Sequence, residues 1–222
     1  MKTGFNSLYP EISDDIMLTR IFNYYWDLIV NQRRWFFAIA IIFLFGVISG
    51  ILIRVITPNF LDTFRDIVKD IVGDTLTFDA SLMIRIFVNN ITAAFVMMFG
   101  GIVLGLIPFF AILFNGFVIG YVVTASLLTA SMGTLESVYL TFSTIIPHGI
   151  FEIPAILFSA ALGLRFGIEW MQQNNTNTRG MIFRKNFISA LACVPLLVII
   201  LFIAAGIEVF ISSRFGYALI SE

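Results

Sequence analysis

The sequence is poor in charge, in cysteine and in histidine. Only 12% of its 222 residues are Asp, Glu, Lys or Arg, about half the share found in soluble domains. The net charge of −1 offers no basic surface for nucleic acid. The single cysteine, Cys193, excludes an intrachain disulfide and a metal site built from cysteines. The single histidine, His148, excludes the H-E-x-x-H motif of zinc hydrolases.

Long apolar runs dominate the chain instead. Hydrophobic residues make up 59% of it, with 25 Phe, and a helix needs roughly 20 such residues to cross a bilayer. This pattern predicts an all-α polytopic membrane protein with about five transmembrane helices. The first run follows a charged segment and is too long for a cleaved signal peptide, so we interpret it as a retained span. The predicted spans are 35–55, 82–107, 109–128, 138–164 and 187–210.

Two amphipathic segments flank the first span. Residues 1–34 are predicted to form a cytoplasmic N-terminal segment whose apolar residues recur at helical spacing, although it is too polar to span. Residues 35–222 form a single transmembrane domain, with a second interfacial helix at about 59–72 on the outer side. For the first segment we weigh a position on the membrane surface, which is favoured, against docking of a soluble partner. For the second, surface anchoring is weighed against a lid or a partner groove.

The distribution of basic residues predicts the topology, because Lys and Arg near spans concentrate on the cytoplasmic side. With five crossings the N-terminus is cytoplasmic and the C-terminus is outside, whereas a re-entrant fourth segment would move the C-terminus inside. The basic residues on the cytoplasmic side are Lys2, Arg20, Arg33, Arg34, Arg165, Arg179, Arg184 and Lys185, and those on the other side are Arg54, Arg65, Lys69, Arg85 and Arg214.

Small residues at four-residue spacing occur in two of the predicted spans. Gly46 and Gly50 lie in the first span, and Gly116 and Gly120 lie in the third. This spacing lets helix backbones approach closely. In the first span it favours packing within the bundle over dimerisation.

Three asparagines fall inside predicted spans. Asn89 and Asn90 lie near the start of the second span, and Asn115 lies in the middle of the third. A carboxamide at that depth needs a hydrogen-bond partner, because lipid tails offer none. For Asn115 we favour a bond between helices over a contact with a ligand.

A run of eight residues, Pro147 to Pro154, contains the histidine and interrupts the fourth apolar segment. In a helix, His148 and Glu152 lie on one face, since positions four apart are neighbours. The two prolines, with Gly149 between them, predict a kink or two half-helices. A break at membrane depth is tolerated only inside protein or beside a water-filled cavity, so the break and the ionisable pair predict one buried, partly polar place.

Three interpretations of His148 and Glu152 stay open. They hydrogen-bond to each other or to a group such as Asn115 and specify the bundle, which is favoured. Alternatively they line a path for a proton, an ion or a polar headgroup, as intramembrane His and Glu residues do in proton relays. The third interpretation, two ligands of a hydrolytic metal, is the weakest because such sites usually need three protein ligands. No metal or other cofactor is therefore predicted.

The order of these motifs resembles the stage II sporulation protein M family. The similarity runs from about residue 35 to 210, through the Asn115–Gly120 run, the Pro147–Pro154 motif and the Ala161–Arg165 run. P-H-G-x-x-E is its more specific part. The residues that the resemblance carries over are Asn115, Gly116, Pro147, His148, Gly149, Glu152 and Pro154.

The resemblance implies a multi-pass protein of the prokaryotic cell membrane. In spore formers the namesake is a scaffold that holds peptidoglycan-degrading partners together during engulfment, and other members occur in archaea. We therefore expect a non-enzymatic scaffold or assembly factor. Its partners would be membrane lipids and other membrane or envelope proteins, with a homo-oligomer as an open alternative and no nucleic acid. The alternative function is a small transporter or lipid-handling protein with a cavity at His148 and Glu152.

Overall fold

The structure is a computed structural model. It describes the backbone of residues 14–58, 60, 80–129, 134–171 and 178–212. Side chains are described over the same ranges except at 14–18, 126, 129, 134–148, 211 and 212. The predicted interfacial helix at 59–72 lies outside the described residues, apart from Phe60.

All regular structure in these ranges is helical, which confirms the predicted all-α fold. Five of the helices are long and apolar enough to cross a membrane, as predicted. We number them α1 (Asp14–Ile56), α2 (Ala80–Gly100), α3 (Leu106–Thr129), α4 (Thr134–Glu169) and α5 (Arg179–Ile207), and α5 continues into a π-helical turn, Glu208–Ser212.

Helix α1 is one continuous helix of 43 residues, which differs from the predicted pair of an interfacial helix and a separate span. The prediction placed a boundary at Arg33 and Arg34 because charge ends an apolar run. Charge does not end a helix, however, and the sequence from Asp14 to Phe45 contains neither glycine nor proline. With no residue that breaks the backbone hydrogen bonds, the helix continues from the polar segment into the membrane.

Helix α4 is also continuous, over 36 residues, so the predicted separation into two half-helices at Pro147–Pro154 is wrong, and the alternative, a kink, stays a prediction. Each proline removes one backbone hydrogen bond, but membrane helices tolerate this because neighbouring helices re-satisfy the freed groups. Helix α5 likewise continues through Pro195. The residues of the predicted break therefore lie along one helix, and they do not form a gap between two half-helices.

Helix α4 is at the centre of the bundle. More than half of its span is buried, 56%, whereas the other four spans are 17–28% buried. It contacts α1, α2, α3 and α5. Two apolar clusters surround it: one joins it to α2 and α5 through Ala94, Leu162 and Leu197, and the other joins it to α1 and α3.

Glycine pairs set the closest approaches between helices. Gly46 and Gly50 of α1 lie against the backbone of α3, and Gly116 and Gly120 of α3 lie against the backbone of α1. An added Cβ at any of the four would overlap a carbonyl oxygen of the opposite helix. Both four-residue spacings are therefore used inside the chain, which confirms the prediction of internal packing.

A short turn connects α2 to α3 and fits against α4. It covers Gly101–Gly105, several residues before the predicted position at Pro108, and Leu104 and Gly105 adopt φ values of 55° and 71°. This left-handed conformation, which favours glycine, reverses the chain in five residues. Pro108 instead lies in the first turn of α3. Backbone N–H groups there have no partner within the helix, so the lack of an N–H in proline costs no hydrogen bond.

Candidate functional site in the membrane core

Glu152 lies on the face of α4 that meets α2. The contact of Gly163 with the Met97 carbonyl identifies this face. Glu152 precedes Gly163 by eleven residues, and because eleven residues make about three full turns, the two lie on the same face within about 20°. The side chain is 6% exposed. The prediction that this carboxyl group is enclosed within the bundle is thus met, although α4 is unbroken.

Asn90 of α2 lies at nearly the same depth and faces α4. It precedes Met97 by seven residues, so it shares the face that contacts Gly163, and it is 7% exposed. Helices α2 and α4 run in the same direction, since Met97 and Gly101 contact Gly163 while Gly101 and Gly105 contact Gly167. With about 1.5 Å of rise per residue, Asn90 and Glu152 differ in depth by about one turn.

Asn89 and Asn115 do not belong to this buried pair. Asn89 is exposed, and its Nδ2 donates a long hydrogen bond of 3.4 Å to Oδ1 of Asn90. Asn115 is exposed on α3, one position before Gly116, which faces α1. It has no partner within the described part of the chain, and its predicted bond to His148 stays a prediction because the His148 side chain lies outside that part.

His148 is placed by its backbone alone. Residue 148 belongs to α4 and comes one turn before Glu152, so the two positions share a face, as predicted. The side chains of Pro147 and His148 are outside the described residues, and their predicted contacts stay predictions. Gly149 is half-buried, and only the Ile153 side chain lies near its Cα, with Cδ1 3.7 Å from an added Cβ.

Two prolines lie at the depth of Glu152, and each leaves one backbone carbonyl group without its usual hydrogen bond within the helix. Pro154 of α4 is exposed, and Pro195 is inside α5. The contacts of Phe99 with Phe187 and of Phe87 with Phe202 set α5 antiparallel to α2, and hence antiparallel to α4. The contact of Phe166 with Phe183, with ring centroids 4.9 Å apart, sets the register, so counting twelve residues from each ring brings Pro154 and Pro195 to one level. Neither proline can donate a backbone hydrogen bond. Sequence reasoning missed Pro195 because it lies in an otherwise ordinary apolar run.

The buried pair does not amount to a metal centre within the described side chains. No three His, Cys, Asp or Glu side chains among them come together. The Asn90 carboxamide can instead donate and accept hydrogen bonds, and the Glu152 carboxylate can accept them. Either side chain can bind a polar group that reaches this depth.

An ion-pair network ties α1 to the end of α4. Glu169 accepts hydrogen bonds from Nη2 of Arg34 at 3.2 Å and from Nε of Arg165 at 3.0 Å. This contact places the start of the first crossing and the end of the fourth at one end of the bundle, called here the basic end. Gln32, which is 1% exposed, lies two residues before Arg34, and sequence reasoning missed it because its neighbours in the sequence are polar.

At the opposite end, the chain after α1 is tied to α3. The carbonyl oxygen of Pro58 accepts hydrogen bonds from Nη1 of Arg54 and from the Tyr121 hydroxyl, each at 2.6 Å. The Arg54 guanidinium also lies over the Tyr121 ring, 5.7 Å from its centroid. In the sequence, only the position of Tyr121 near the end of a predicted span indicated such a contact, because tyrosines there place their hydroxyl group at the membrane interface.

Comparisons with known proteins agree with this architecture. An uncharacterized protein of Methanocaldococcus jannaschii is 31% identical over 136 residues, which cover 61% of this chain and 74% of the relative. No solved structure matches. The family model of stage II sporulation protein M matches residues 37–213, from the first crossing to the end of the π-helical turn. The chain therefore belongs to the stage II sporulation protein M family, a membrane protein with five helices able to span the bilayer.

Proposed function

We propose that the protein is a non-enzymatic scaffold or assembly factor of the prokaryotic cell membrane, with its basic end in the cytoplasm. Family membership supports this. The observation that carries the proposal is the first part of α1, which projects beyond the membrane and exposes aromatic side chains.

The length of α1 requires this projection. Between Arg34 and Arg54 the helix has residues 35–53, about 28 Å long, which matches a hydrocarbon core of about 30 Å. Residues 14–33 add about 30 Å of the same helix. Because one continuous helix cannot both cross the membrane and lie in its plane, the projecting segment (residues 14–33) leaves the surface. The continuous helix supports the docking alternative over the surface helix.

The projecting segment is exposed around most of its circumference as far as Asp27, whereas Leu28 packs against the cluster of α2, α4 and α5 and Gln32 is buried. Every residue from Thr19 to Asp27 is exposed except Tyr25, and Phe22 and Trp26 are 66% and 56% exposed. Their stacked rings have centroids 6.2 Å apart. Ile29 follows three residues after Trp26, and this i, i+4, i+7 set is the anchor pattern of helices that bind in an apolar groove.

Charge specifies the partner further. Residues 14–27 contain three Asp and one Arg, so this part of the projecting segment carries a net charge of −2. A soluble protein or domain with an apolar groove and a basic rim would be complementary to it.

Photocrosslinking in native membranes tests this function. A benzoylphenylalanine at Trp26 should give an adduct with a specific protein, and the adduct should be lost in the Phe22→Ala/Ile29→Ala double variant. The same probe at Phe45, which is 64% exposed in the crossing part of α1, is the control and should label lipid. Lipid-only labelling at Trp26, or the same protein adducts at both positions, would rule out docking through this segment.

Transport or lipid handling is the second candidate, because the buried Asn90 and Glu152 lie at similar depth on facing helices. In proteoliposomes, a transporter should lose its proton or ion flux at least tenfold in Glu152→Gln. The control Glu169→Gln, at the basic end, should keep it. Absence of flux in the unmodified protein, or equal flux in both variants, would remove this candidate.

A further inference from the structure

We propose that two copies of this chain associate through the outer halves of α2 and α3, with Asn89 of each copy hydrogen-bonded to Asn115 of the other. This inference goes beyond the scaffold function and does not depend on it. It rests on two exposed carboxamides at matching depth.

The depths follow from the α2–α3 hairpin. Asn89 precedes Gly100, the last residue of α2, by eleven residues, and Asn115 follows Leu106, the first residue of α3, by nine. With 1.5 Å of rise per residue, the two lie about 16 Å and about 13 Å from the turn. Both are therefore close to the middle of their spans.

Contacts elsewhere on the two helices fix the direction of these side chains. On α2, Phe87 contacts Phe202 of α5 and Met97 contacts Gly163 of α4, so Asn89, at about 100° per residue, is turned away from both toward the α3 side. On α3, the glycine face meets α1. Asn115 lies about 100° from Gly116, away from α1 and on the side nearer α2.

The two amides consequently flank one surface of the hairpin. Val122, two turns after Asn115 on the same side, is 47% exposed. In a monomer Asn115 has no hydrogen-bond partner among the described residues, and Asn89 has only its long bond of 3.4 Å to Asn90, because lipid tails offer no other partner. Carboxamides across helix interfaces in membranes stabilise association by about 0.6–2 kcal/mol each.

A second copy satisfies both amides at once. Under a two-fold axis along the membrane normal, α2 of one copy lies beside α3 of the other, and each Asn89 faces an Asn115. Each carboxamide has one acceptor and one donor group, so the four amides can form a closed layer. Such reciprocal contacts are the rule in two-fold dimers.

Arg85 favours this pairing over contact between the two α2 helices. It is exposed one turn before Asn89. Packing α2 against its own copy would bring the two Arg85 side chains together at the same depth, where like charges repel. Pairing α2 with α3 places the arginines diagonally and keeps them apart.

Cysteine crosslinking between differently tagged copies tests the pairing, in a Cys193→Ser background within native membranes. Copies carrying Asn89→Cys and copies carrying Asn115→Cys should crosslink to each other with a short bis-methanethiosulfonate reagent. Pairs of Asn89→Cys copies should react several-fold less, and Phe45→Cys copies, on the lipid face of α1, should serve as the background.

A second measurement separates a failed interface from a failed fold. Single-molecule photobleaching in liposomes should show the dimer dissociation constant raised at least tenfold by Asn115→Leu and Asn89→Leu together, with unchanged thermal unfolding. The control Ile199→Leu, on the exposed surface of α5 and outside the proposed interface, should dimerise normally. Mixed crosslinking at background level, crosslinks only to another protein, or full dimerisation of the leucine variant would each overturn the proposal.

Discussion

Gly101 and Gly163 are in direct backbone contact: an added Cβ on Gly101 would overlap the Cα, carbonyl carbon and oxygen of Gly163. The central helix α4 thus approaches the turn after α2 as closely as two backbones can. Flexible side chains could move aside, whereas backbone atoms can yield only if the helices separate. This contact therefore fixes the depth of α4, and with it the depth of Glu152 relative to Asn90.

Gly163→Ala should destabilise the fold. Overpacking a close contact costs about 1–3 kcal/mol, and the overlap here is with the Met97 carbonyl. The matched control is Gly180→Ala in the first turn of α5, where nothing lies within 4 Å of an added Cβ. Unfolding by denaturant in detergent micelles measures both variants.

Equal stability of the two alanine variants would mean that α4 does not pack closely against α2 at Met97. A lower free energy of unfolding in Gly163→Ala alone would support the packing. The added methyl group should also move α4 away from α2, and with it Glu152 away from Asn90.

The sequence was sufficient for the spans and for the close packing of the Gly46–Gly50 and Gly116–Gly120 pairs, but it did not predict the contact of Gly101 with Gly163. Five apolar runs and the glycine spacings follow from hydrophobicity and residue size alone. It could not predict which of Asn89 and Asn90 faces inward. Neighbouring positions differ by about 100° around the helix, and a membrane span is apolar on all sides, so no polar face reveals its rotation.

Helix continuity was the other feature beyond sequence reasoning. At Pro147–Pro154 the local preference favours a break, but contacts with the surrounding helices prevail over the loss of two hydrogen bonds. At Arg33 and Arg34 the mistake was to treat a change in polarity as a change in backbone structure. Only tertiary contacts, such as Arg34 with Glu169, show how the two parts of α1 are arranged.

Tyr121→Phe should lower the free energy of unfolding by about 0.5–1.5 kcal/mol, the usual net value of one hydrogen bond. The Pro58 carbonyl would keep its bond from Arg54, so the loss should be modest. Hydrogen exchange at the Thr57 and Phe60 amides should become faster in the variant, since the hydroxyl holds this segment on α3.

The matched control is Tyr24→Phe, because Tyr24 is exposed on the projecting segment. If Tyr121→Phe matched Tyr24→Phe in both stability and exchange, the hydroxyl would not tie Pro58 to α3.

The two ion pairs of Glu169 should differ in strength. Arg34 is 73% exposed in its side chain and Arg165 is 11% exposed. Exposed pairs contribute about 0–1 kcal/mol, so Arg34→Gln should have a small effect that salt weakens. Arg165→Gln should cost more, about 1–3 kcal/mol, because it removes a partner of a partly buried carboxylate.

Double-mutant cycles with Glu169→Gln measure each coupling. A larger coupling to Arg34 than to Arg165 would contradict this order, and no coupling to either would mean that Glu169 does not link α1 to α4.

Spin labels test whether α1 is one helix. With labels at Phe22→Cys and Ile41→Cys, both exposed positions, nineteen residues of continuous helix give a separation of about 28 Å between attachment points. A segment that turned onto the membrane surface at Arg33 would shorten this distance and place the label at 22 among the lipid headgroups. The control pair, Ile41→Cys with Ile56→Cys, lies within one crossing and should give about 22 Å in either case. Asn31→Pro, which breaks the helix where it leaves the membrane, should broaden the first distance and leave the control distance unchanged. A long, narrow distance for the first pair, together with aqueous accessibility at position 22, is what docking through Phe22 and Trp26 requires.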